Sequence, residues 1–219
     1  MLDSIVVDHE LQVSELKSLI TRPAPVILEI GANCGQTTVE FMRHFPDARI
    51  YCFEPDPRAI QKFKSNIQSA QVSLIEAAVG ANAGFVMFHQ SAGAESIDPQ
   101  GWDHSGSIRP PKTHLDIWPW VRFDKQIPVP MLRLDDWLAE QGIPHIDFIW
   151  ADVQGAESDL ILGGLNTLAK TNYFYTEFSD DEWYEGQINF STLCSLLFNF
   201  SLLKKYPNDA LFSNLALNA

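Results

Sequence analysis

The stretch Val26–Thr38, V-I-L-E-I-G-A-N-C-G-Q-T-T, constrains this 219-residue chain more than any other. Val26 to Ile30 is a β-branched, apolar run with the length and composition of a strand buried on both faces. Gly31 and Gly35 follow at once, and Thr37 to Phe45 reads as a helix that stops before Pro46. A buried strand, a glycine-punctuated turn and a helix belong to an α/β sheet whose strand ends gather backbone N–H groups around a ligand. Arg49 to Phe53 reads as a second apolar strand with Glu54 at its carboxyl end. A carboxylate there accepts hydrogen bonds from both hydroxyls of a ribose. Strand, turn and acid together point to a nucleoside-bearing cofactor.

The glycine spacing narrows the choice. A dinucleotide site wants G-x-G-x-x-G, so that a pyrophosphate can approach the helix N-terminus. Counting from Gly31, Asn33 and Gln36 stand at the second and third glycine positions, which disfavours a nicotinamide-dependent oxidoreductase. What remains is E-x-G-x-x-x-G, with Glu29 inside the strand end. An acid there suits a cofactor carrying an ammonium and a sulfonium and repels a pyrophosphate. The motif resembles the first motif of the class I S-adenosylmethionine (SAM) methyltransferases.

The remaining segments read as alternating helices and strands. Asp8 to Ile20 is expected as an amphipathic helix, with Leu11, Val13, Leu16, Leu19 and Ile20 toward one side. Asp56-Pro57 is an N-cap followed by proline at the first helical position, and Ile60, Phe63 and Ile67 give that helix one buried face. Val72 to Ala77 reads as a third strand, after which Ala77 and its neighbours would lie beside an adenine ring. Gly84 to Gln90 is an added strand. Ser91 to Gln126, rich in Gly, Ser, Pro, Trp and His, lacks periodicity and reads as a binding loop or lid. Val129 to Leu134 is a strand, and Asp135 caps a short helix closed by Gly142. Ile146 to Ala151 is the fourth core strand, leading into Asp152. Gln154 to Leu162 is expected as a helix ended by Gly163-Gly164, and Tyr173 to Phe178 as the fifth core strand. Asn189 caps a further helix, and Ser201–Tyr206 and Ala210–Leu217 form a closing hairpin around Pro207-Asn208-Asp209. The expected fold is therefore α/β: one domain over residues 1–219, a Rossmann-like sandwich on a mainly parallel sheet with a C-terminal antiparallel hairpin.

Charge and cysteine usage bound the partners. A formal net charge of −13 repels phosphate backbones and anionic membranes, so nucleic acid is not the expected substrate. No apolar run approaches a membrane span, and Met1 to Glu10 is acidic rather than a signal sequence. Three scattered cysteines, Cys34, Cys52 and Cys194, suit neither a disulfide framework nor a zinc site and point to the cytoplasm.

With these segments placed, the chain resembles the FkbM family of SAM-dependent methyltransferases. The resemblance rests on L-E-I-G-A-N-C-G-Q-T (Leu28–Thr37), F-E-P-D-P (Phe53–Pro57), A-A-V-G (Ala77–Gly80) and S-G-S-I (Ser105–Ile108). L-D-D-W-L (Leu134–Leu138), I-D-F-I-W-A-D-V-Q-G-A-E (Ile146–Glu157) and N-D-A-L-F-S-N (Asn208–Asn214) continue it in order. Where the family often carries K-x-D-x-E-G-x-E, this chain has Trp150 and Gln154 at the Lys and Glu positions. The resemblance implies methyl transfer from SAM to a hydroxyl of a sugar or natural product. Glu29, Gly31, Asn33, Gly35, Thr37, Glu54, Ala77 and Asp152 are the expected cofactor contacts.

Asp152 ends the fourth strand, where it would hold the cofactor's amino group, orient the acceptor or take its proton; the alternative is a helix N-cap. His104 is the second candidate base, and His114 shares its loop. Arg109 and Lys112 could grip an anionic acceptor group, and Trp102, Trp118 and Trp120 could stack on a sugar or anchor the lid. Glu177 with Asp152, Asp180 and Asp181 could build a Mg²⁺ site; the resemblance does not imply one, and no metal is expected. A binding module that kept the fold and lost the chemistry is the non-enzymatic alternative, suggested by Gln154 in place of a carboxylate.

Overall fold

A computed structural model describes residues 10–93 and 101–218. Five parallel strands form the centre of its larger sheet: β1 (Val26–Ile30), β2 (Arg49–Phe53), β3 (Val72–Ile75), β7 (Ile146–Ala151) and β8 (Thr171–Glu177). The C-terminal pair β9 (Phe200–Lys205) and β10 (Asp209–Asn214) completes seven strands in the order β3-β2-β1-β7-β8-β10-β9, with β10 antiparallel to both neighbours. The chain thus winds outward from β1 in one direction, then returns to β1 and builds the other way. That reversal opens a crevice at the carboxyl ends of β1 and β7.

Both faces of the sheet are covered, which is why β1 is buried along its whole length. Ile27 joins Phe41 of α1 (Gln36–His44) and Phe63 of α2 (Pro57–Asn66) on one side. Val26, Leu28 and Ile30 join Trp137 of α4 (Leu134–Gln141), Leu160 of α5 (Glu157–Gly163) and Leu193 of α7 (Phe190–Leu196) on the other. Asp56 caps α2 through the Arg58 N–H at 2.9 Å, and Asn189 caps α7 through the Thr192 N–H at 2.9 Å, as their sequence contexts predict.

Several boundaries differ from the sequence-based expectation. The segment before β1 is a six-residue 3₁₀ helix, Val13–Ser18, rather than an α-helix from Asp8 to Ile20; residues 8 and 9 lie outside the described residues. Its buried residues Val13 and Leu16 are three apart, the spacing a 3₁₀ turn stacks on one side. Asp135 does not cap α4, which is preceded by Arg133. Its carboxylate instead accepts the backbone N–H groups of Asn166 and Thr167, at 3.1 and 2.8 Å, in the first turn of α6 (Leu165–Leu168). The helix after β7 starts at Glu157, not Gln154, because Gln154 (φ 50°) and Gly155 (φ 88°) are left-handed.

The expected lid is shorter than its composition suggests, and residues 101–121 of it are tied to neighbouring elements. A second sheet stacks β4 (Ala78–Val79), β6 (Arg122–Leu132) and β5 (Gly84–Ala92). Strand β6 starts seven residues before the expected Val129. Pro128 and Pro130 hide it in the sequence, yet they are tolerated because β4 pairs with β6 only at Met131 and Leu132. Between β5 and β6, residues 101–121 carry the short helix α3 (His114–Ile117) and bridge back at two points, His89 to Ser107 and Pro111 to Tyr184. Residues 94–100 of the expected lid lie outside the described residues.

Candidate active site

The carboxyl ends of the parallel strands carry the site, and sheet order sets its layout. Glu54 follows β2, Gly31 follows β1, Asp152 follows β7 and Glu177 ends β8. Neighbouring strands are ~4.8 Å apart, so Glu54 and Asp152 stand about two spacings, ~10 Å, from each other. A cleft of about 690 Å³, counting its open mouth, runs along this edge and is lined by Gly31, Asn33, Glu54, Ala77, His104 and Asp152, among others.

At the turn after β1 the backbone is pressed against its neighbours. The Gly31 N–H donates to the Phe53 carbonyl at 2.9 Å, and a Cβ at Gly31 would lie 1.8 Å from the Asp152 carbonyl oxygen. Glycine is required there both by that approach and by its φ of +90°. Asn33 is also left-handed (φ 44°). Its N–H donates to Glu54 Oε2 at 2.8 Å, and its Nδ2 donates to the Asp103 carbonyl at 3.0 Å, tying the turn to the lid. The left-handed backbone that asparagine tolerates is present, and the side-chain contact seen is to the lid rather than to a cofactor.

Glu54 is buried with one backbone donor on each carboxylate oxygen, Asn33 N–H on Oε2 and Asp56 N–H on Oε1 at 2.7 Å. Each oxygen keeps a lone pair for a ribose hydroxyl. Burial pushes its acid up to about 8, against the pull of those two N–H groups. The donor set suits a neutral diol that donates, and a cofactor ribose is such a group.

Three expected contacts lie elsewhere. Glu29 points beneath α1, where its Oε2 accepts from Thr38 Oγ1 at 2.5 Å and from Cys52 Sγ at 3.6 Å; burial raises it to about 7. Neither Glu29, Gly35 nor Thr37 is among the residues lining the cleft. The physical reason for Glu29 is strand alternation: it shares the face of Ile27, which is covered by α1 and α2. Gly35 begins α1 in a left-handed conformation (φ 86°), and a Cβ there would come within 2.8 Å of Ile67.

At the other end of the cleft Asp152 is joined to Glu177 through an amide. Gln154 Nε2 donates to Asp152 Oδ1 at 2.7 Å and to Glu177 Oε2 at 3.0 Å, while Gln154 Oε1 accepts from the buried Tyr184 hydroxyl at 2.8 Å. Ser107 Oγ donates to the Gln154 carbonyl at 2.7 Å. Burial raises both acids above the usual carboxylate range, and for Glu177 the neighbouring charges of Asp152 and Glu157 add to it. Glu157, the first residue of α5, is buried rather than displayed to solvent; it accepts the Gly155 N–H at 3.1 Å and sits at about 7, mainly through burial. Asp152 is not a helix cap, since Ala156 precedes α5. Asp180 turns to the Phe190 N–H at 3.1 Å, and no group of three or more His, Cys, Asp or Glu among the described residues is arranged to hold a metal.

A second cavity adjoins the first. Trp102, Trp118, Trp120 and Trp183 wall it, and Glu177 lies in its lining. Among the described residues it shares only His104 and Gln154 with the cleft. Trp150, at the family's lysine position, is remote from both: it packs on Tyr175 and Phe41 on the opposite face of the sheet. Sequence reasoning missed Tyr184, Trp183 and the role of Gln154. They meet through a left-handed turn and a loop after β8, neither of which leaves a periodic signal.

Comparison with known proteins decides the family. The model of the methyltransferase FkbM domain matches residues 29–206. The chain belongs to the FkbM methyltransferase family. It is 46% identical over 208 residues to the 2-O-methyltransferase NoeI of Sinorhizobium fredii (strain NBRC 101917 / NGR234), covering 93% of this chain and 85% of that protein. The solved FkbM methyltransferase of Methylobacillus flagellatus KT superposes with a TM-score of 0.55 at 12% identity, over 87% of this chain and 44% of that one. The fibrillarin pre-rRNA processing protein of Methanococcus jannaschii gives 0.52 at 11% identity, over 94% and 70%. The last two likenesses speak for the Rossmann-like fold alone. This FkbM protein is a SAM-dependent methyltransferase. Among the described residues no helix is long and apolar enough to cross a membrane.

Proposed function

We propose that this FkbM methyltransferase methylates a hydroxyl of a small, saccharide-like acceptor, with SAM in the first cavity and the acceptor in the second. The observation that carries the reading is that, among the described residues, the two cavities share only His104 and Gln154. The similarity to a protein named a 2-O-methyltransferase supports oxygen as the accepting atom. The charge of −13 argues against a nucleic-acid acceptor.

When bound, SAM supplies a methyl already activated on a positively charged sulfur. Glu54 holds the ribose hydroxyls, Ala77 borders the base, and Asp152, two strands along, holds the ammonium of the methionine end. Asp152 lines the cofactor cleft and not the tryptophan chamber, which supports cofactor binding over the role of base. Of the two groups at the junction, Gln154 has no basic atom and its amide is fully engaged. His104 is the remaining group that can take the acceptor's proton as its oxygen receives the methyl. Walls that align acceptor and cofactor can supply on the order of 7–11 kcal/mol of the barrier. The base adds roughly two to four powers of ten.

Purified protein with SAM and a panel of glycosides, read by mass spectrometry, tests the reading. A methyl ether together with S-adenosylhomocysteine is the expected product. Tight SAM binding with no turnover on any hydroxyl compound would instead support a module that binds without catalysing.

A further inference from the structure

We infer that the tryptophan chamber is an acceptor subsite selective for an uncharged sugar ring, with Trp118 and Trp183 as its specificity-determining residues. This rests on the methyl-transfer reading above. Two edge-to-face pairs form the walls: Trp102 on Trp120, with centroids 4.9 Å apart, and Trp118 on Trp183 at 5.0 Å. The cavity holds about 630 Å³, counting its open mouth. Indole faces stack on the C–H side of a pyranose and leave its hydroxyls to polar groups at the edges.

Those polar groups are present and need partners. His114 and Trp183 both line the chamber and are both at least nine-tenths buried, yet His114 Nδ1 and Trp183 Nε1 have no hydrogen-bond partner within the structure. Both atoms are closed to solvent as the rings stand, so a small turn of either ring is needed to present them to a ligand. A buried orphan costs ~1–3 kcal/mol, which favours a ligand that completes the pair. Burial pulls His114 down to about 4, so it is neutral near pH 7 and offers an acceptor or a donor according to tautomer. The indole N–H only donates. A hydroxyl can serve both.

Charge excludes the anionic alternative. Among the described residues the chamber's lining contains Glu177 and no lysine or arginine. The two cations of the loop are already committed. Arg109 pairs with Asp159 at 2.7 Å and donates to Ser158 and the Glu185 carbonyl, and Lys112 pairs with Glu182. They fasten the loop rather than wait for a phosphate or carboxylate. A phenolic acceptor would stack as well, but it would leave His114, Trp183 and Glu177 with little to bond.

The chamber holds four of the six tryptophans, so acceptor binding is readable by intrinsic fluorescence without turnover. The SAM-loaded wild-type protein is titrated with neutral methyl glycosides, the matching uronic acids and sugar phosphates, and simple phenols. A saturable response to neutral glycosides, at least tenfold tighter than to their anionic counterparts, is expected. Trp118→Ala should weaken that binding by about tenfold, with SAM affinity within twofold of wild type. Trp183→Phe keeps a ring and removes only the N–H, so it guards against a misfolded Trp118 variant; a loss confined to the glycoside is expected. A preference for anionic sugars or phenols, no saturable response to any glycoside, or variants that bind as wild type would each overturn the subsite. Failure of the wild type to transfer methyl to any hydroxyl while still binding glycosides would overturn the reading beneath it and leave the subsite standing.

Discussion

Single residues divide the chemistry, and the division can be measured. Glu54→Gln exchanges a charged acceptor of two ribose hydroxyls for a neutral group with one acceptor atom. Hydrogen bonds to charged groups are worth roughly 1.5–3 kcal/mol, so SAM affinity should fall ten- to a hundredfold by calorimetry. Asp152→Asn should weaken SAM by a similar factor, because it removes the charge opposite the ammonium. His104→Ala should do the reverse: single-turnover rates drop by about two to four powers of ten while SAM affinity stays within a few fold. Equal effects of the two variants on affinity would end the assignment of His104 as base. Glu54 and Asp152 are legible in the sequence because each follows an apolar run that can only be a buried strand. Glu29 misleads for the same reason that makes it conspicuous: its strand is buried on both faces, and alternation turns it under α1, away from the cleft. Gln154 reads in the sequence as lost chemistry. In the fold its amide serves Asp152, Glu177 and Tyr184 at once, none of which its neighbours in sequence reveal.

At the scale of elements, the loop between β5 and β6 acts through how it is fastened. Arg109 joins it to α5 and to the loop after β8, and Ser107 pairs with His89 on β5. Arg109→Ala removes a partly buried ion pair and leaves Ser158 and the Glu185 carbonyl without that donor. Stability should drop by ~1–3 kcal/mol, and hydrogen exchange over residues 105–121 should quicken. The acceptor KM should rise several-fold with SAM affinity little changed, since SAM is held mainly from the strand ends. Wild-type exchange rates in that loop would show that the anchor is not what orders it. The core strands and their caps were readable because burial on both faces imposes unbroken apolar runs. Strand β6 was not: its prolines argue against a strand, and only the short reach of β4 explains why they are allowed. The late start of α5 was hidden too, since a left-handed Gln154 has no signature in composition.

The whole molecule carries an excess of acids, several of them shifted upward by burial. Glu29 and Glu157 sit at about 7, Glu54 at about 8 and Asp209 at about 7, each raised chiefly by burial, against ~4 in an unfolded chain. Between those values the folded state binds protons that the unfolded state releases. Stability of the cofactor-free protein is therefore highest below about pH 4 as far as these groups are concerned, and it falls as pH rises toward 8. Thermal melts across pH 5–8 should show that decline. Ribose hydroxyls donate to ionised Glu54, so SAM binding should release a proton and tighten as pH rises, by at most about tenfold per unit below pH 8. Calorimetry in two buffers of different ionisation enthalpy would detect the proton, and its absence would mean that Glu54 is already charged. The larger claim is that one sheet edge orders ribose, methionine end and acceptor across β2, β1, β7 and β8. A crystal structure with S-adenosylhomocysteine and a glycoside tests it most directly. Ribose hydroxyls are expected within hydrogen-bonding distance of Glu54, the sulfur facing the opening between His104 and Gln154, and the sugar against Trp118 and Trp183. A sulfur walled off from the tryptophan chamber, or a ribose away from Glu54, would contradict it.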